Sequence, residues 1–159
     1  MRNSLSSNSN PSGVQGICPD GWHVPSDAEW TQLTTYVKSQ SQYVSQNCSG
    51  NDNGINTWCI AKALASTIGW DSRAYDSCPG NNPASNNATN FSALPAGMSG
   101  TYDTTNGHYA YFWSSTENND GSDHDYMYAM HRYLYYGSNY VVRRYNSKEF
   151  GFSVRCLKD

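Results

Sequence analysis

The fold is decided by YMYAMHRYLYYGSNYVVRRYNSKEFGFSVRC, residues 126–156, near the end of the chain. Two runs rich in tyrosine and valine flank the small polar residues 137–139, a pattern that predicts a β-hairpin. We predict strands at 126–136 and 140–144, and then, after a second tip at 145–150, a closing strand at 151–157. Alternation along the strands puts Leu134 and Val141 on a face that packs against the core, and leaves the opposite face polar and aromatic.

The same stretch has the composition of a recognition surface. Seven of the 13 tyrosines of the chain lie between residues 126 and 145, interleaved with Arg, Ser, Gly and Asn. Tyrosine supplies a large amphipathic contact area at low entropic cost, and small polar residues adapt their hydrogen bonds. We therefore expect binding of a protein or another macromolecular surface, and no enzymatic activity.

The helices are predicted earlier in the chain. Ser26 and Glu29 have the spacing of a capping box, and apolar residues follow at helical spacing, which predicts a helix over 27–39. A second helix is predicted over 57–68, ended by Gly69, with an apolar face of Ile60, Ala61, Leu64 and Ile68. Helices early and strands late predict an α+β domain.

Length, composition and charge limit the number of domains and the classes of partner that the sequence predicts. The 159 residues suit one domain, with the polar residues 1–16 as a flexible lead-in and the folded part at 17–159. A net charge of -3 gives no nucleic-acid footprint, and there is no apolar run for membrane insertion. The start of the chain lacks an export signal, so secretion or surface display implies a trimmed sequence.

Metal, cofactor and nucleophile patterns are weak. The four histidines are scattered, so we predict no metal site and no cofactor. A loop with Asp120, Asp123 and Asp125 leaves calcium as a minor alternative, although its spacing is irregular. Residues 114–117 (SSTE) show no nucleophile elbow, and we expect Ser115, Thr116 and Glu117 to tie down a loop through hydrogen bonds to backbone.

Four motifs in order carry a family resemblance. They are ICPDGWHVPSDAEW at 17–30, FSALPAG at 91–97, FWSSTE at 112–117 and GFSVRC at 151–156. Together they resemble the Fibrobacter succinogenes major paralogous domain. The resemblance implies a C-type lectin-like fold of the formylglycine-generating-enzyme-like form, with two helices packed on a twisted antiparallel sheet with long loops. It also implies an exported bacterial surface protein.

Residues 129–150 also resemble the variable region of retroelement-diversified proteins, which mount changing residues on a C-type lectin-like scaffold. That resemblance implies Arg132, Leu134, Tyr136, Val141, Arg143 and Lys148 as scaffold. It also implies a set of diversified positions that bind the ligand: His131, Tyr135, Gly137, Ser138, Tyr140, Val142, Arg144, Tyr145, Asn146, Ser147 and Phe150.

Five scattered cysteines fit disulfides in an oxidising compartment better than zinc. In a fold whose termini meet, Cys18 and Cys156 would lie on neighbouring strands, so we pair them. Cys48 and Cys78 flank the second helix and its loop and form the second predicted pair. Cys59 is then free, with Cys59–Cys78 as the alternative pairing.

These observations predict a secreted or surface-displayed bacterial domain, a variable protein or adhesin tip, that binds its ligand through the C-terminal hairpin. A carbohydrate-binding module using the same face is the main alternative. A formylglycine-generating-type enzyme is a weaker alternative, since no matching pair of reactive cysteines is found.

Overall fold

A computed structural model describes residues 6–46, 48, 59–100, 105–119, 121 and 125–159, which form an α+β domain. Within these described residues, two α-helices, α1 (Asp27–Ser39) and α2 (Ala61–Leu64), and three short 3₁₀ turns accompany the strands. The strands are β1 (Trp22–His23), β2 (Tyr109–Glu117), β3 (Tyr128–Tyr135), β4 (Val141–Ser147) and β5 (Leu157–Lys158). The predicted α+β class is confirmed.

The larger sheet is the antiparallel meander β2-β3-β4. Strands β3 and β4 are the predicted hairpin, and their register pairs Leu134 with Val141 and Arg132 with Arg143. Leu134 and Val141 are each 2% exposed, so the predicted inner face is confirmed. The closing segment adds only isolated bridges at Gly151 and Ser153, where a continuous strand was predicted.

The two ends of the domain meet in a second, smaller sheet. Strand β1 pairs antiparallel with β5, with Trp22 opposite Lys158. Next to this sheet, Cys18 and Cys156 form a disulfide with Cα atoms 5.8 Å apart. This predicted pairing is confirmed.

Helix α1 has the predicted bounds and the predicted cap. Glu29 N donates to Ser26 Oγ at 3.1 Å, and Ser26 N donates to Glu29 Oε2 at 2.9 Å. Its buried face places Trp30 and Val37 in one apolar core with side chains of α2 and the larger sheet, among them Ile60, Leu64, Phe112, Leu134 and Val141.

The second helix is much shorter than predicted. It covers Ala61–Leu64, and residues 57 and 58 of the predicted span lie outside the described part. Ala65 leaves the helix because its backbone pairs in parallel with Ala93, and Ser66 N donates to the Ala93 carbonyl at 2.8 Å. Consequently Ile68, predicted on the buried face, is 68% exposed.

Residues 6–16, predicted as a lead-in, lie against the domain. Ser12 Oγ donates to the Val24 carbonyl at 2.6 Å, and Ser26 Oγ donates to the Ser9 carbonyl at 2.6 Å. Thr116 Oγ1 donates to the Ser7 carbonyl at 2.6 Å. The segment therefore bridges the start of α1 and the end of β2.

The second predicted disulfide is wrong. Cys48 pairs with Cys59, with Cα atoms 5.7 Å apart, and Cys78 is free and fully buried. The Cys78 thiol instead donates to the Tyr75 carbonyl at 2.8 Å within its own loop. Pairing follows Cα separation and Cβ direction, which the flanking position of two cysteines in sequence does not fix.

Candidate ligand-binding face

The inner face of the hairpin is fixed to α1 by a buried ion network. Arg132 is 1% exposed, and its Nη1 donates to Asp27 Oδ1 at 2.6 Å. Arg143, its cross-strand neighbour, donates through Nε and Nη2 to the same carboxylate at 3.0 and 2.9 Å. Because one carboxylate serves both arginines, β3 and β4 have a fixed position relative to the helix.

The two arginines of this network depend on the negative charge of the single Asp27 carboxylate. Burial raises the pKa of Asp27, but Arg143 and Arg132 outweigh burial and hold that pKa below its usual range. Two guanidinium groups share one carboxylate, so the network carries one surplus positive charge. Solvent reaches this network at Arg143, whose side chain is 33% exposed, whereas that of Arg132 is 1% exposed.

The outer face of the same sheet is an array of aromatic rings in register. Tyr109 lies opposite Tyr135, Tyr111 opposite Tyr133, and Trp113 opposite His131. Ring centroids in the first two rows are 4.7 and 5.5 Å apart. We call these six side chains together with Phe152 the aromatic face.

Phe152 completes this face from the closing segment. Its ring stacks on Trp113 at 4.3 Å and on Tyr111 at 4.6 Å, between two residues of the same strand. The position is set by backbone, because Trp113 N donates to the Ser153 carbonyl at 3.0 Å and Ser153 N donates to the Tyr111 carbonyl at 3.1 Å. The stack runs in the order Tyr109, Tyr111, Phe152, Trp113.

His131, predicted to contact ligand, does not reach the surface. It is 2% exposed and is surrounded by rings of the aromatic face, with Phe152 at 4.9 Å. Burial lowers the pKa of His131 to about 4 and outweighs a hydrogen bond with the Arg132 backbone that raises it, so the ring is neutral near pH 7. The prediction failed because strand alternation gives the face of a residue and cannot show that a distant segment covers it.

The other predicted positions divide into three groups. Tyr135, Val142 and Asn146 are half-buried and Arg144 is exposed, and all four belong to the outer face by alternation. Half-buried Gly137, Ser138 and Tyr140 lie at or beside the turn between β3 and β4. Tyr145, Ser147 and Phe150 lie at the far end of the hairpin, where Tyr145 is 51% exposed and makes an edge contact with Tyr128 at 5.8 Å.

The aromatic residues of β2 and Phe152 were not among the predicted positions. Tyr109, Tyr111 and Trp113 alternate along their strand, and that alternation was the available signal. Burial raises the pKa of Tyr111, with Tyr109 and Tyr133 adding to it, so its hydroxyl stays protonated. This face offers neutral aromatic contact with Arg144 as its cation.

Two residues of the SSTE motif act as predicted, because Ser115 Oγ and Thr116 Oγ1 both donate to the Ser7 carbonyl, at 3.3 and 2.6 Å. The Glu117 carboxylate pairs instead with Lys148. Ser114 Oγ donates to the Met130 carbonyl at 2.8 Å, and Thr116 Oγ1 accepts from Asp27 N at 2.9 Å. These hydroxyls hold β2 to β3 and to the helix start.

Metal chemistry has no candidate within the described residues, where no group of three or more His, Cys, Asp or Glu could hold an ion. Asp120 and Asp123 of the possible calcium loop lie outside the described part. No described helix is long and apolar enough to cross a membrane. The two disulfides indicate an oxidising environment such as the cell exterior.

The fold and this face define an α+β domain closed by disulfides that presents one rigid aromatic sheet face. Comparison with known families identifies a match: the family model of the Fibrobacter succinogenes major domain matches residues 5–158. The chain therefore belongs to this bacterial family, and the match begins within the predicted lead-in. No curated protein and no solved structure matches the chain significantly.

Proposed function

We propose that the domain is a secreted or surface-displayed binding module of C-type lectin-like type, and that it recognises a macromolecular target with the aromatic face and the adjoining hairpin tips. The observation that supports this most is the division of the hairpin into two faces. Residues of one face contact Asp27 and the core, and the other face carries partly accessible tyrosines held in fixed positions.

Rigid aromatic side chains suit this role. Tyr and Arg are enriched among interface residues that dominate binding energy, and fixed rings lose little entropy on binding. Tyr135 contacts both Tyr109 and Tyr136 with ring centroids 4.7 Å apart. Arg144, which is exposed and lies across from His131 in the strand register, adds charge and bidentate hydrogen bonding.

The size of the face bears on which residues take part. Three strands of about seven residues cover roughly 14 by 24 Å, or about 340 Å². A stable interface uses about 800 Å² on each partner, so the footprint has to reach beyond the sheet. The predicted positions outside the outer face lie next to it, at the turn 137–140 and at 145–150.

The same division supports the proposal that the hairpin is diversified. Positions that the resemblance implies as scaffold include Arg132, Leu134, Val141 and Arg143, and these make the core and ion-network contacts. Substitutions at Arg144 or Tyr145 leave those contacts intact. Sequences of related loci would test this: changes should concentrate at exposed positions of 135–150 and spare the four scaffold residues.

Binding is tested with matched surface variants. A triple variant Tyr133→Ala/Tyr135→Ala/Arg144→Ala should lose at least about tenfold in affinity for a target captured from bacterial surface extract, because each hot-spot side chain contributes about 2 kcal/mol or more. The control Tyr36→Ala/Tyr75→Ala removes two tyrosines that are 63% and 51% exposed elsewhere, and should bind normally.

Removal of metal ions with EDTA distinguishes this proposal from the alternative of a carbohydrate-binding module. Binding should survive EDTA, since the aromatic face contains no carboxylate. Loss of binding in EDTA with rescue by calcium would favour a calcium-dependent lectin. Equal loss in the control variant would exclude the aromatic face as the binding surface.

A further inference from the structure

The outer edge of β4 is a structural feature that the proposed function does not use. β4 is the last strand of the sheet β2-β3-β4. Among the described residues, no backbone hydrogen bond other than those to β3 involves residues 141–146. Alternate N–H and C=O groups of residues 141–146 therefore point away from the sheet with no partner in the part of the chain that the structure describes.

An edge of this kind is a template for another strand. Extended peptides bind sheet edges through main-chain hydrogen bonds, and the side chains beside the edge set specificity. β4 is long enough, at about 24 Å, to pair with five or six residues of a partner.

The charges beside this edge select the partner. Arg143 and Arg144 are consecutive, so one side chain lies on each face of the sheet. Arg143 is partly exposed and belongs to the Asp27 network, whose two arginines and one carboxylate leave a net charge of +1, and Arg144 is exposed with no ion pair among the described residues. β4 itself contains no acidic residue. The net positive charge of the network and the charge of Arg144 therefore lie beside the middle of the edge, one on each face of the sheet.

A second copy of the chain fits this edge poorly. Antiparallel pairing of two β4 strands centred on residue 143 or 144 puts arginine opposite arginine, and like charges directly opposite destabilise a sheet. An acidic strand would instead be stabilised at this edge, because carboxylates at two adjacent positions lie across from both arginines.

We propose that the β4 edge binds an extended acidic peptide segment by strand addition, with two consecutive carboxylate residues paired across from Arg143 and Arg144. This goes beyond the proposed function, because the edge binds through main-chain groups of β4 and the aromatic face through ring side chains, with Arg144 beside both.

The test uses a capped hexapeptide of threonine and valine around a central Glu–Glu pair, and a matched Lys–Lys peptide as control. The acidic peptide should slow amide exchange at alternate residues of β4, the pattern that strand pairing produces. Arg144→Glu should weaken its binding by about fivefold and favour the Lys–Lys peptide, whereas Arg144→Lys should stay within about twofold of wild type.

Three results would overturn the proposal: no binding at millimolar peptide, equal affinity for both peptides, or protection spread over the aromatic face with none in β4. Self-association of the free protein with protected β4 amides would assign the edge to a second copy instead. The triple variant of the aromatic face contains an Arg144 change, so the edge is tested beside Tyr133→Ala/Tyr135→Ala, which should bind the acidic peptide normally.

Discussion

Replacing Asp27 by asparagine should destabilise the domain severely. The substitution keeps the shape of the side chain but removes the negative charge shared by Arg132 and Arg143. Arg132 is 1% exposed and cannot turn to solvent, so its charge would be left uncompensated. Removing one partner of a buried ion pair costs about 3–5 kcal/mol.

This loss is large compared with the stability of an ordinary domain, which is about 5–15 kcal/mol. In urea, with a slope of about 2 kcal/mol per molar, the unfolding midpoint should fall by about 1.5–2.5 M. The control Asp20→Asn changes an exposed carboxylate and should stay within about 0.5 kcal/mol of wild type.

The dependence on pH gives a second measurement on the same pair of proteins. The pKa of Asp27 is lowered on folding, so its contribution is present above the unfolded pKa of about 3.9 and is lost as pH falls through the folded pKa. Wild type and Asp27→Asn should therefore converge in stability well below about pH 4. A difference of less than about 1 kcal/mol at pH 7, or one that persists unchanged in acid, would refute the network as argued.

Three further substitutions test other parts of the fold. Burial lowers the pKa of His23, but its hydrogen bonds to Asp159 and Glu29 hold that pKa above its usual range. The stabilisation from His23 is therefore fully present below about pH 6.5 and is lost as pH rises through the folded pKa. The urea midpoints of wild type and His23→Gln, measured from about pH 6 to 9, should approach each other as pH rises. A constant difference between the two midpoints over this range would exclude the effect. Removing the Cys18–Cys156 disulfide, which spans a sequence separation of 138, should cost about 5 kcal/mol in the chain-entropy view, measured by urea unfolding of the double serine variant. Leu134→Ala should cost about 2–5 kcal/mol in the same assay, and a value near zero would contradict the assignment of the inner face.

The sequence by itself determined the features that depend on neighbours along the chain. The capping box at Ser26 and Glu29 joins atoms three residues apart, so its pattern predicted where α1 begins. The hairpin turn set the pairing of β3 with β4, and alternation then placed Leu134 in the core. Such features follow from local geometry that a short pattern contains in full.

Only the tertiary structure decided the features that join distant segments. Asp27 meets Arg132 across a separation of 105 residues, so no short sequence pattern contains both members of the ion pair. Pairing of Ala65 with Ala93 ended α2 early, and Phe152 covered His131. Cys59 lay within reach of Cys48, and Cys78 did not pair. In each case the outcome depends on which backbone lies a few ångströms away, and that distance is a property of the whole fold.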